Sequence, residues 1–297
     1  SVLDLLAEDN RFYDFMDVLS KERGLTDDLQ DNNQEVTVFA PTNQAFQKLR
    51  NTYQGRIPRD ELRDAVRYHF IPEWYEYEDL REEKLIDTQL TPRGLDGESQ
   101  KIRVVRREGH VVLNNLVSIS EADLEARNGI VHAVDEVLLP PPKVTDLIYR
   151  MANKFSTFSA ALQRTGLNEE FEGESSITAF VPTNAAFRKL GCRALNYLFS
   201  EEGEKDLRRV LEYHFSPELV YGRRRRPGYD DITELPSFLR GEKLYLEVKK
   251  TPSRRVFINV NDEARVIFSD IPAENGVFHA IDEVLLPENL DIPEYDW

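Results

Sequence analysis

Four of the five histidines come as two repeated pairs. His69 and His214 each follow a tyrosine, in Tyr68-His69-Phe70 and Tyr213-His214-Phe215. His132 and His279 each stand three residues before an aspartate, Asp135 and Asp282, while His110 has no counterpart. Imidazoles near carboxylates can move protons or hold a metal. The spacing argues against a metal, because there is no His-x-x-x-His pair and no cysteine or carboxylate cluster at ligand spacing. No nucleophile elbow, phosphate loop or dinucleotide fingerprint is present, so no cofactor is expected. Acidic pairs such as Glu82-Glu83 and Asp230-Asp231 are weak evidence for glycosidase carboxylates in so acidic a chain.

A different chemistry is available where the repeats disagree. Arg223-Arg224-Arg225-Arg226 follows one Tyr-His stretch, and Trp74-Tyr75-Glu76-Tyr77-Glu78-Asp79 follows the other. The arginine run reads as a solvated loop, as a site for an anionic partner, or as a dibasic processing site. The aromatics beside acids can stack on sugars or close a lid over a core. Opposite charge at equivalent places suggests partner choice, including head-to-tail self-association.

These residues ride on a duplicated framework. Val36-Thr37-Val38-Phe39-Ala40-Pro41-Thr42-Asn43-Gln44-Ala45-Phe46-Gln47-Lys48-Leu49 returns at Ile177–Leu190 with nine of fourteen positions identical. Each copy reads as a buried strand, a proline stop, a Thr-Asn capping pair (Thr42-Asn43, Thr183-Asn184, after Pro41 and Pro182) and a short helix with one apolar side. Leu62, Ala65, Val66, His69 and Phe70 form one apolar helical stripe, matched by Leu207, Val210, Leu211, His214 and Phe215. A histidine on such a stripe is more often packed and hydrogen-bonded than ligand-contacting, and the helix end favours its positive charge. Alternating hairpin strands follow in each half, over 101–113 and 243–260. Each half closes on Asn-Gly and a buried strand: Asn128 to Pro140 matches Asn275 to Pro287 at ten of thirteen positions. Asn-Gly predicts a tight turn with positive φ. Thr26–Glu35 is expected to be loop, with Gly24 closing the preceding helix. Pro141-Pro142 reads as a stiff linker.

The chain of 297 residues carries a net charge of −16, which argues against nucleic acid as a general partner. Residues 1–140 carry 17 basic and 28 acidic side chains, against 21 and 26 in 141–297. Solubility is the simplest use of that charge. Cys192 is the only cysteine, so no intramolecular disulfide forms, and domains of this size need none. No apolar run approaches the roughly 18 residues of a membrane span. No Asn-x-Ser/Thr sequon occurs, so N-glycosylation is not expected. The start at Ser1 suggests a segment of a longer protein, with targeting segments outside it.

The paired strand-to-helix runs, the Tyr-His pairs and the Asn-Gly…His…Asp…Val-Leu-Leu-Pro runs resemble the fasciclin domain family, in the family's order and over nearly the whole chain. The resemblance implies an α/β (α+β) fold: two fasciclin-type domains, 1–140 and 143–288, each a mixed β-sheet wedge surrounded by helices, with an acidic tail at 289–297. It implies a secreted, cell-surface or cell-wall protein acting in adhesion or matrix interaction without catalysis. Implied partners are a cell-surface protein, a matrix component or a cell-wall polysaccharide, with any membrane contact through an anchor outside this segment. In animal members the Tyr-His stretch is tied to receptor binding, which marks Tyr68, His69, Tyr213 and His214 as interaction candidates beside Trp74, Tyr75 and Arg223 to Arg226. His132, His279 and the Pro-Thr-Asn triplets are expected to be structural. The alternatives are a carrier of a small apolar ligand and an enzyme acting on cell-wall polysaccharide.

Overall fold

The computed structural model describes all residues except 31–34, 56, 223–231, 251–255, 291 and 293–297. It divides into two compact units, one of residues 1–92 and 97–140, the other of 93–96 and 141–297.

The first unit opens with helices α1 (Val2–Glu8), α2 (Tyr13–Leu19) and α3 (Arg23–Gln30). Strand β1 (Val36–Pro41), α4 (Asn43–Thr52), α5 (Arg59–Tyr68) and the short β2 (Phe70–Ile71) follow. The chain then turns to β3 (Lys84–Asp87), β4 (Lys101–Arg107), β5 (His110–Leu113), β6 (Val117–Ala126) and β7 (Gly129–Val134). The strands form one sheet in the order β2-β1-β7-β6-β5-β4-β3. Strands β1 and β7 pair in parallel, and their neighbours pair antiparallel. Both are buried along their whole length, as a parallel pair covered on two faces requires.

Alternation along β1 divides the core in two. Val36, Val38 and Ala40 face a cluster built from α1 to α5, and Phe39 faces a second cluster under the hairpins. The period of two places successive side chains on opposite faces, so one strand serves both cores.

The second unit repeats this plan. Helices α6 (Val144–Arg150), α7 (Ala152–Thr165) and α8 (Leu167–Glu172) lead to β8 (Ile177–Pro182), α9 (Asn184–Lys189), α10 (Gly191–Leu198) and α11 (Glu204–Tyr213). Strands β9 (Phe215–Ser216), β10 (Ile232–Pro236), β11 (Lys243–Lys250), β12 (Val256–Val260), β13 (Ala264–Ala273) and β14 (Gly276–Ile281) complete a sheet in the order β10-β11-β12-β13-β14-β8-β9.

Three sequence expectations are corrected. Part of the stretch read as loop is helical, because α3 runs to Gln30 with Leu25 and Leu29 buried in the core. Gly24 lies inside that helix and does not end the one before it. Neither Asn128 nor Gly129 has positive φ. Glycine is required at 129 by close packing instead: a Cβ there would lie 2.3 Å from the Val36 carbonyl oxygen. The equivalent atom on Gly276 would lie 2.0 Å from the Ile177 carbonyl oxygen. Asn128 is used through its side chain, which accepts from the Val2 N–H (2.8 Å) and donates to the Leu29 carbonyl (2.8 Å).

Candidate functional site

The repeated polar residues meet around the end of α5 and its counterpart α11. Tyr68 and His69 are 0% and 1% exposed, and Tyr213 and His214 are 7% and 0% exposed. The Tyr68 hydroxyl donates to the Lys101 carbonyl (2.9 Å) and accepts from Asn114 Nδ2 (2.8 Å). Tyr213 does the same with Lys243 (3.1 Å) and Asn261 (2.8 Å). Tyrosine thus fastens the helix to the β4–β5 and β11–β12 hairpins.

His69 points the other way. Its Nδ1 lies 2.6 Å from the Ala65 carbonyl, and its Nε2 accepts from the Leu138 N–H at 2.9 Å. His214 has the same pair of partners in Val210 (2.7 Å) and Leu285 (3.0 Å). An acceptor facing Nδ1 and a donor facing Nε2 leave room for one proton, on Nδ1, so both rings are neutral. Burial lowers both pKa values to about 4, against a weaker upward pull from the Ala65 and Val210 carbonyls.

His132 and His279 form a second lock with the opposite tautomer. Each Nδ1 accepts a backbone N–H, from Asp123 (3.2 Å) or Asp270 (3.1 Å). Each Nε2 therefore donates, to the Tyr75 carbonyl (2.8 Å) or the Val220 carbonyl (2.9 Å). Burial is again the main cause of a lowered pKa at both rings. Asp123 and Asp270 sit at irregularities of β6 and β13 with φ of 58° and 60°, a conformation aspartate tolerates better than most residues. His132 also stacks on Phe39, and His279 on Phe180.

The structure places the interaction candidates Tyr68, His69, Tyr213 and His214 inside the two domains. All four side chains face the core and spend their polar atoms on internal partners.

The Pro-Thr-Asn triplets have separate duties. Pro41 and Pro182 end β1 and β8. Thr42 and Thr183 cap α4 and α9 by accepting from the Ala45 and Ala186 N–H groups. Asn43 and Asn184 reach a neighbouring helix: their Oδ1 atoms accept from the N–H groups of Asp14 (3.0 Å) and Thr157 (2.9 Å). The two long motifs also interlock, since Lys48 and Lys189 donate to the Asp135 and Asp282 carbonyls.

Thr37 and Thr178 escape a reading of the sequence as functional positions. Each hydroxyl donates to the carbonyl of Glu73 or Glu218 (both 2.7 Å) and accepts from the N–H of Tyr75 (2.8 Å) or Val220 (2.9 Å). They tether the loop that follows each Tyr-His pair. Their signal is a threonine repeated inside two otherwise apolar strands.

The residues that differ between halves behave differently. Trp74 and Tyr75 are half-buried. Tyr75 donates to Glu73 Oε2 (2.5 Å), and Lys84 lies over its ring. Burial, then the Glu73 carboxylate, pushes the Tyr75 phenol upward. Arg223 to Arg226 lie outside the described residues, as does Asp230-Asp231. Among the described residues no group of three or more His, Cys, Asp or Glu could hold a metal ion, and no helix is long and apolar enough to cross a membrane.

Residues 10–140 and 153–287 each match the Fasciclin domain. The chain is 31% identical over 256 residues to "Transforming growth factor-beta-induced protein ig-h3" of Oryctolagus cuniculus, covering 86% of this chain and 33% of that protein. The chain thus spans about a third of the length of that curated relative. It is 27% identical over 318 residues to "Aurofusarin biosynthesis cluster protein S" of Gibberella zeae, covering 97% of this chain and 77% of that one. The solved FAS1 domain pair of the insect cell adhesion molecule Fasciclin I covers 94% of this chain and 98% of its own, at 21% identity and a TM-score of 0.47. With two domain matches that together take in most of the chain, and the repeated motifs in register within both, this protein belongs to the fasciclin domain family as a tandem pair.

Proposed function

We propose that the protein is a surface or extracellular interaction module, acting in adhesion or in matrix or cell-wall contact without catalysis. Membership of the fasciclin family supports this reading. The observation that carries it is the use of the shared polar residues. Tyr68, His69, Thr37, Asn128, His132 and their counterparts all bond internally, so the residues common to both halves build the domains. Recognition then falls to positions where the halves differ, including the half-buried Trp74 and Tyr75 and the run Arg223 to Arg226.

The test is solid-phase binding of the whole chain to matrix proteins, cell-surface extracts and cell-wall polysaccharides. Saturable binding without turnover is expected. Binding to no member of the panel, or turnover of a polysaccharide, sinks the reading. Replacing Arg223 to Arg226 with glutamine is expected to remove the salt-sensitive part of binding or self-association. Unchanged behaviour at low salt would remove the arginine run from the interaction.

A second reading, carriage of a small apolar molecule, is favoured by the nearly co-extensive Gibberella zeae relative, whose name places it in a biosynthesis cluster. A co-purifying chromophore or lipid, identified by mass spectrometry, would select it.

A further inference from the structure

The two units differ at one place where side chains have been exchanged for space. The hydrogen bonds from the Val2 and Val144 N–H groups to Asn128 and Asn275 align α1 with α6, so Leu3 corresponds to Thr145 and Ala7 to Tyr149. The bonds from the Asp14 and Thr157 N–H groups to Asn43 and Asn184 align α2 with α7, so Met16 corresponds to Ser159. In the first unit Leu3 and Met16 pack against the helical core. In the second, two short hydroxyl side chains leave a cleft of about 200 Å³ between α6, α7 and α8.

The lining is mostly polar. Thr145 and Ser159 are 7% and 8% exposed, so both are more than nine-tenths buried. The Thr145 hydroxyl has no hydrogen-bond partner among the described residues. A buried hydroxyl without a partner is costly, and its cost is recovered when a ligand or water supplies one. Tyr149 stands at the rim with 62% of its surface exposed. Asp146 and Glu172 bring carboxylates, and Gln163 and Asn168 bring carboxamides. Among the described residues, no lining side chain is basic.

We propose that this cleft is a subsite for a single neutral sugar ring. An exposed tyrosine face suits the C–H face of a pyranose, and carboxylates with carboxamides suit its hydroxyls. The volume is below the range of about 300–1,000 Å³ typical of drug-sized ligands, which fits one ring. Two carboxylates in a lining that holds no basic side chain among the described residues disfavour uronates, sulfates and phosphates by charge, although Lys143 Nζ donates to the Glu172 carbonyl (2.9 Å) beside it. The inference rests on the surface-interaction reading and deepens it by naming a ligand class for the second domain.

The test uses the whole chain with the methyl glycosides of glucose, galactose and mannose, and with methyl glucuronide, read by saturation-transfer NMR and by shifts of Tyr149 resonances. Millimolar binding of at least one neutral glycoside is expected. Tyr149→Ala, at an exposed position, should weaken it at least tenfold. Thr145→Leu with Ser159→Met, which restores the side chains of the first unit, should abolish it while the fold is retained. Failure of every neutral glycoside, equal binding of the glucuronide, or full binding by either variant overturns the proposal. If the wild type binds the matrix panel but no glycoside, the sugar subsite falls and the surface reading stands. If it binds neither, both fall.

Discussion

At the residue scale the four buried histidines make stability depend on pH. His69 and His214 are neutral in the folded chain, with pKa values near 4, and titrate near 6.5 when unfolded. Between those values the unfolded chain binds more protons, so stability is full above about pH 6.5 and is lost as pH falls toward 4. Each ring contributes up to roughly 3 kcal/mol to that loss. Urea titrations from pH 7.5 to about 4 are expected to show it. His69→Gln should be less stable at neutral pH but should flatten the acid slope; an unchanged slope would contradict the assignment. Thr37 offers a cleaner test, because Thr37→Val keeps shape and removes two bonds to the loop at Glu73 and Tyr75. A loss of about 1–3 kcal/mol is expected, read as a lowered urea midpoint.

At the element scale the parallel β1–β7 pair is the tightest constraint. Gly129→Ala would drive a Cβ into the Val36 carbonyl across that pair, and Gly276→Ala would do the same at Ile177. Each is expected to cost about 3 kcal/mol or more, since backbone on both sides is fixed by the sheet. Gly24 provides the contrast. It lies in α3 with an ordinary φ, and a Cβ added there would meet nothing within 4 Å. Gly24→Ala is expected to stabilise by roughly 0.5–1 kcal/mol through helix propensity. Measured midpoints for the three variants decide between packing and conformational freedom as the reason for each glycine. Positive φ does explain Gly109, in the β4–β5 turn, where φ is +88°.

At the scale of the whole molecule, the described residues of each unit form two core clusters of their own, one under the helices and one under the hairpins. Separate cores predict separate unfolding. Calorimetry of the intact chain is expected to resolve two transitions, with Gly276→Ala lowering one and leaving the other in place. A single transition that shifts as a whole would mean that the units fold as one. The chain's charge of −16 is unevenly shared, with 17 basic and 28 acidic side chains in residues 1–140 against 21 and 26 in 141–297.

The duplicated motifs were enough, as bare sequence, to establish two domains, the buried strands, the Thr42 and Thr183 caps and the family. Those features depend on local pattern: alternation, capping chemistry and a repeat within one chain. The direction in which Tyr68 and His69 point was beyond that reach. The apolar stripe predicted burial of His69, but the partners Leu138 and Asn114 lie 69 and 46 residues away. The reason for Gly129 was hidden for the same cause, since its obstacle is the Val36 carbonyl of a neighbouring strand. The cleft in the second unit was the least visible. Thr145 and Ser159 are unremarkable in sequence, and only the packing of α6 against α7 and α8 turns two small residues into a space with an unpartnered hydroxyl.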